Sequence, residues 1–218
     1  MPKAGRGPYP CAVSTHAPLS LTERRKAATQ LEIARAAMEL FATRGPQDTT
    51  AEEIARRAGI ALRTFYRYFR SKEDAVSPLL ADGADRWRTL LEATEPGTAL
   101  PRALESAVEQ ALIPPDEEAT RALLRTRGLL RAAAEDPALR AVWYRVNQES
   151  EERLVPVIAR LSGGRLDDLG VRVTAAAATD AIRIALETWA GTEAGVEGAG
   201  SPADLAVRCL RRFGRTAG

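Results

Sequence analysis

The sequence predicts an all-α protein of about nine helices, a small N-terminal three-helix domain followed by a larger helical one. Three observations predict it. Apolar residues recur at three- and four-residue intervals along most of the chain, the spacing of one face of a helix. Capping residues, first-turn prolines and closing glycines cut that pattern into segments. No stretch alternates apolar and polar residues in the period of a half-buried strand.

The elements follow in order. Residues 1–19 hold four prolines, two glycines and no periodicity, which reads as a disordered leader; its Lys3 and Arg6 read as a plain tail, and contact with DNA stays open. Ser20 and Glu23 form a capping box for a long first helix, with Ile33, Ala37, Leu40 and Phe41 inward and an end near Gly45. Thr50 and Glu53 repeat the box for a short second helix, whose Ile54, Ala55 and Ala58 share one face. Gly59 then supplies the positive φ of a sharp turn. In the third helix, Phe65 and Phe69 stand one turn apart and can pin it to the second. Ser71 with Asp74 opens a fourth helix toward Ala93, and Pro78 inside it predicts either a kink that hinges the two domains, 20–72 and 73–218, or only a helix break.

Four helices are expected beyond Glu95-Pro96-Gly97: Thr98–Ile113, Asp116–Glu135, Pro137–Leu161 and Asp168–Thr192. After a Gly-rich loop, Ser201-Pro202 opens a last helix to about Phe213.

Composition narrows the function. Hydrophobic content of 45% with 28% charged residues is ordinary for a globular protein. Residues 1–76 hold 13 Lys and Arg against 8 Asp and Glu, whereas the rest holds 18 against 21. The basic end is thus the end with the two short helices, as a phosphate-binding module requires. Cys11 and Cys209 lie near opposite ends and His16 is the sole histidine, so no disulfide scaffold and no metal site is expected. No cofactor is expected either. No apolar run approaches the roughly 20 residues of a membrane span, and no secretion signal is evident, so the expected location is cytoplasmic. Catalytic residues are not expected: the chain has no Ser-His-Asp set and no phosphate loop.

The segment Thr49–Asp74 carries the function. Phe65, Tyr66, Tyr68 and Phe69 are four of the eleven aromatic residues, and Arg56, Arg57, Arg63, Arg67, Arg70 and Lys72 outnumber the acids around them. A short basic helix braced by aromatics behind a glycine turn suits the DNA major groove. Arg63 and Arg67 are the expected base readers, Thr49, Tyr66, Tyr68 and Lys72 the expected backbone contacts, and Thr50 and Thr64 complete the expected DNA-binding set.

Leu31–Val76 resembles the DNA-binding domain of the TetR family of bacterial transcriptional regulators. The resemblance rests on Leu40-Phe41-Ala42-Thr43-Arg44-Gly45, Thr49-Thr50, Ile54-Ala55, Ala58-Gly59-Ile60, Thr64-Phe65-Tyr66, Tyr68-Phe69 and Lys72-Glu73. Two residues depart from the family pattern: Ala61 replaces the usual Ser, and Arg63 replaces a small residue. Both fall on the reading surface and bear on which operator is read. The resemblance implies a repressor that binds duplex DNA at a palindromic operator as a homodimer. It also implies a ligand cavity in the second domain.

Trp87, Leu91, Arg127, Trp143, Tyr144 and Asn147 are the expected ligand contacts, for a small apolar or amphipathic effector. The helix from Asp168 is apolar on two faces. Val173, Ala177, Ile184 and Thr188 form one; Ala175, Ala178, Ile182 and Trp189 form the other. The latter four, with Leu205 and Cys209 of the last helix, are the expected dimer interface. The alternatives are a constitutive DNA-binding regulator or activator without a small-molecule switch and, more distantly, a helical protein-interaction module.

Overall fold

The computed structural model describes residues 20–95 and 97–216, so the expected leader, with His16 and Cys11, lies outside the described residues. Among the described residues there are nine α-helices and no strand: α1 (Leu21–Arg44), α2 (Ala51–Arg57), α3 (Leu62–Tyr68), α4 (Ser77–Glu92), α5 (Leu100–Leu112), α6 (Glu117–Glu135), α7 (Pro137–Ser162), α8 (Asp168–Ala190) and α9 (Pro202–Thr216). No described helix is long and apolar enough to cross a membrane.

The capping logic is visible at atomic scale. The Ser20 and Thr50 hydroxyls each accept the backbone N–H three residues on, while Glu23 and Glu53 reach back to the cap N–H. The Asp116, Asp136 and Asp167 side chains cap α6, α7 and α8 in the same way.

Pro78 marks a break and not a kink. Ser71 accepts the Asp74 N–H, but only a 3-10 turn, Asp74–Val76, follows, and α4 starts afresh at Ser77. Pro78 therefore sits in the first turn of α4, where its missing N–H has no intrahelical partner to lose. It starts the helix; it does not kink it.

Two apolar cores result. In the first, Ile33, Phe41, Ile54 and Phe65 of α1–α3 join Leu130 of α6 and Trp143 of α7. In the second, Trp87, Leu91 and Leu104 pack with Ile158, Ala175 and Ala206. The N-terminal unit thus shares its interior with α6 and the first half of α7. Polar ties reinforce that seam: Gln47 Nε2 donates to the buried Asp136 carboxylate at 2.8 Å, and Arg145 pairs with Asp74.

Candidate functional site

The two short helices put apolar groups inside and cations outside. Ile54 and Phe65 are fully buried, and the Phe65 and Phe69 ring centroids lie 5.7 Å apart. Gly59, at φ 69°, makes the turn, and the Ile60 N–H closes onto the Ala55 carbonyl at 2.9 Å. With α3 pinned on that side, Arg63, Tyr66, Arg67 and Arg70 are left exposed. None of these three arginines forms a salt bridge among the described residues; Arg67 lies over the Tyr68 ring, 5.1 Å from its centroid. Arg57, by contrast, is held by Glu39 of α1 at 2.9 Å.

The remaining expected DNA contacts divide. Thr50 is exposed, but its hydroxyl is engaged as the α2 cap. Thr49 is wholly buried, and its hydroxyl donates to the Gly45 carbonyl at 2.8 Å, so its side chain is not at the surface. Lys72 is half-buried, with Nζ donating to the Pro46 and Thr49 carbonyls at 2.6 and 2.9 Å. It staples the α1–α2 turn. Thr64 and Tyr68 are half-buried, and Tyr68 packs on the first core. Arg70, a member of the basic cluster outside the expected reading set, is also exposed, just past the end of α3.

A cavity of about 490 Å³ opens between α1, α4, α6, α7 and α8. Of the expected ligand contacts, Trp87, Trp143 and Asn147 line it. The other three do not. Leu91 is fully buried in the second core. Arg127 stacks on the Trp189 ring at 4.2 Å and donates to the Ala194 carbonyl at 2.6 Å; with Arg131, which donates to the Ala190 and Thr192 carbonyls, it clamps the loop after α8. Tyr144 is exposed beneath Arg183. Most of the lining was not singled out as ligand contacts from the sequence, among it Met38 and Thr179, and Ile182 was assigned to the dimer interface instead. Periodicity marks each as apolar-face or helix-interior but does not say which face meets empty space.

The α8 face expected to form the dimer interface is turned inward. Ala175, Ala178 and Trp189 are buried within the single chain, and Ile182 lines the cavity. These residues hold α8 against its own protomer and are not an outer face. Leu205 and Cys209 are half-buried against the second core. The face left uncovered carries Leu169 (70% exposed), Val173 (57%) and Ile184 (38%), with Phe213 (43%) on α9.

Residues 33–76 match the family described as bacterial regulatory proteins, tetR family. MftR of Mycobacterium tuberculosis, a candidate transcriptional regulator of mycofactocin biosynthesis, is 31% identical over 166 residues, 76% of this chain and 82% of that protein. The helix-turn-helix-type transcriptional regulator TcmR of Streptomyces glaucescens is 32% identical over 152 residues, 68% of this chain and 66% of its own length. Among solved structures, a candidate TetR-family regulator from Syntrophomonas wolfei superposes with a TM-score of 0.60 at 18% identity, over 87% of this chain and 95% of that one. FadR of Thermus thermophilus, a TetR-family repressor solved in complex with lauroyl-CoA, superposes with a TM-score of 0.52 at 23% identity, over 85% and 91%. The structural likenesses establish a common fold, and the sequence relatives go further: the chain belongs to the TetR family of bacterial regulatory proteins and is a DNA-binding regulator of transcription.

Proposed function

We propose that this regulator is a ligand-responsive repressor that binds a palindromic operator as a homodimer, with α3 in the major groove. The observation that carries the reading half is the exposed, unbridged set Arg63, Arg67 and Arg70 beside a rigid apolar underside. Arg63 and Arg67 read base edges, because a guanidinium donates two parallel hydrogen bonds to guanine. Tyr66, Thr64 and Arg70 meet the phosphates. Thr50, Tyr68 and Lys72 act through α2 and α3 by holding them in place, and Thr49 does so from the interior.

Dimerisation uses the uncovered α8 stripe, Leu169, Val173 and Ile184, against the same stripe of a second copy. A two-fold contact buries a self-complementary face and presents two recognition helices to half-sites on one side of the duplex. The double variant Val173→Asp/Ile184→Asp changes two exposed residues and leaves both cores intact. It is expected to sediment as a monomer and to lose operator binding. A dimer of unchanged stability would refute this interface.

The effector binds in the 490 Å³ cavity, whose wall includes Arg35, Met38 and Glu39 of α1 itself. Ligand therefore touches the helix that holds the reading unit through Glu39–Arg57. That a repressor of the same fold was solved with lauroyl-CoA supports the small-molecule half of the proposal. Ligand must prefer the DNA-incompetent shape, so bound operator weakens ligand affinity by the same factor. A thermal-shift screen followed by operator-release assays on the hits tests this: stabilising compounds that never alter operator affinity would leave a constitutive binder.

A further inference from the structure

The first two turns of α1 stand clear of both cores. Leu21–Ala28 are all exposed, and the first buried residue of the helix is Ile33. Packing therefore gives no reason for the helix to start so early, and so short a stretch is marginal as a helix by itself. The Ser20–Glu23 capping box holds its end, and the buried half of α1 continues into it.

Its charges have the unfavourable sign for a helix start. Arg24, Arg25 and Lys26 follow one another, and Glu23 is the sole acid between Leu21 and Gln30. That carboxylate is already bonded to the Ser20 N–H at 2.8 Å. Helix starts favour acids, because the first N–H groups carry partial positive charge. α2, α6 and α8 follow that rule with Glu52, Glu117 and Asp168. Arginines inside other helices are matched to an acid one turn away, as in Arg121–Glu117 and Arg183–Glu187. Lys26 feels the charge of Glu23 one turn back, but neither Arg24 nor Arg25 has a bonded partner for its guanidinium among the described residues. Arg86, Arg102 and Arg172 share that condition, but each is the single such residue on its helix.

Two bonds fix where this end points. Arg44 of α1 bonds Glu53 at 3.1 Å and Arg57 bonds Glu39 at 2.9 Å, so α2 runs back along α1 toward its start. The turn into α3 thus lies on the side of the N-terminal half of α1, and Lys26 is about 20 Å beyond Glu39 at 1.5 Å per residue. The major groove is about 12 Å wide, so charges displaced that far from the start of a groove-seated α3 stand over the neighbouring backbone and not over the bases being read. Three consecutive side chains also fan over about 200° of the helix, which suits a line of phosphates better than one base edge.

We propose that the exposed start of α1 is a second DNA contact, in which Arg24, Arg25 and Lys26 meet the phosphates flanking the half-site, without reading sequence. The occupant is the same duplex that α3 reads, chosen by charge complementarity and by continuity with that surface. The proposal rests on α3 lying in the major groove.

The test uses a duplex enriched by the intact protein from a randomised library, in two lengths. One is trimmed to the outer edges of the half-sites, and the other carries about one further helical turn, about 10 base pairs, on each side. Arg24→Gln/Arg25→Gln/Lys26→Gln changes exposed positions only and keeps a good helix former at each. By fluorescence anisotropy in about 0.15 M KCl, the triple variant should bind the long duplex about tenfold more weakly, with a salt slope lower by about two, one phosphate per protomer. On the trimmed duplex it should match the unaltered chain, and its preference for the enriched half-site over a scrambled one should stay. Arg24→Lys/Arg25→Lys keeps the charge and should bind both lengths as the unaltered chain does. Unchanged affinity and slope on the long duplex, an equal loss on both lengths, or a lost half-site preference overturns the inference while leaving α3 as the reader. If no duplex is enriched, or Arg63→Ala keeps full half-site preference, the reading by α3 fails, and the inference with it.

Discussion

The reading unit and the cavity both hold polar groups without partners, but they hold them on opposite sides of the protein surface. On α3 the unbridged guanidiniums of Arg63 and Arg70 stand in water, which satisfies them until something displaces it. In the wall behind the cavity the Trp87 indole N–H and the Thr179 hydroxyl are sealed from water and have no partner. An exposed cation is therefore consistent with almost any role, and only its placement on a rigid apolar underside makes it informative. A buried orphan is informative by itself, because its energetic cost is continuous.

If the reading unit owes its function to that apolar underside, removing the underside should do the most damage. Phe65 is fully buried between α2, α3 and α1, so Phe65→Ala should cost about 3–5 kcal/mol of stability. Urea unfolding followed by circular dichroism reads this directly, and a loss under about 1 kcal/mol would mean that the two short helices are held by something other than this core.

Lys72→Ala separates support from contact. Its two carbonyl hydrogen bonds staple the α1–α2 turn, so the variant should lose about 1.5–3 kcal/mol of stability as well as affinity. A variant with full stability and uniformly weakened DNA binding would return Lys72 to the role of a phosphate contact. Arg63→Ala makes the opposite prediction. It should leave thermal unfolding unchanged while costing about 1–3 kcal/mol on specific DNA and little on random duplex, measured by fluorescence anisotropy.

The smallest effect is expected in acid. The Thr50 backbone N–H, bonded to the Glu53 carboxylate, holds its carboxyl below the ordinary Glu range. A folded-state value below the unfolded one adds stability above the unfolded value and loses it as pH falls through the folded value. Loosening of α2 should therefore begin as pH falls through the ordinary Glu range and be complete below the lowered folded value. Hydrogen exchange at the Glu53 and Ile54 amides checks it, and Glu53→Gln should flatten the dependence.

The reading unit was largely legible in the sequence because its signals are local. Thr50 and Glu53 cap across three residues, Gly59 turns in place, and Phe65 and Phe69 repeat at one helical turn. The internal bonds of Thr49 and Lys72 are not legible in this way: which side of a turn a side chain takes depends on the carbonyls that Gly45, Pro46 and Thr49 present, and spacing does not record that. The second domain was legible as helices but not as faces. α8 is apolar nearly all round, so periodicity could not say whether Ala178 or Val173 faces inward; contact with α7 and α9 decides it. Arg127 looked like a polar anchor for a ligand, and only the fold of the loop around Trp189 gives it carbonyls to bind. Pro78 shows how one residue shifts its meaning with the helix boundary, from a break inside α4 to its opening turn.

Selection of duplexes from a randomised library by the intact protein, followed by sedimentation of the enriched sequence with protein, tests the central claim most directly. Two copies of α3 on one side of DNA should enrich an inverted repeat whose half-site centres lie about 10 base pairs, or a multiple of that, apart. Two protomers should bind each duplex, and Arg63→Ala should lose the preference for the enriched half-site. Failure to enrich any sequence, or a single protomer saturating an asymmetric site, would contradict the account.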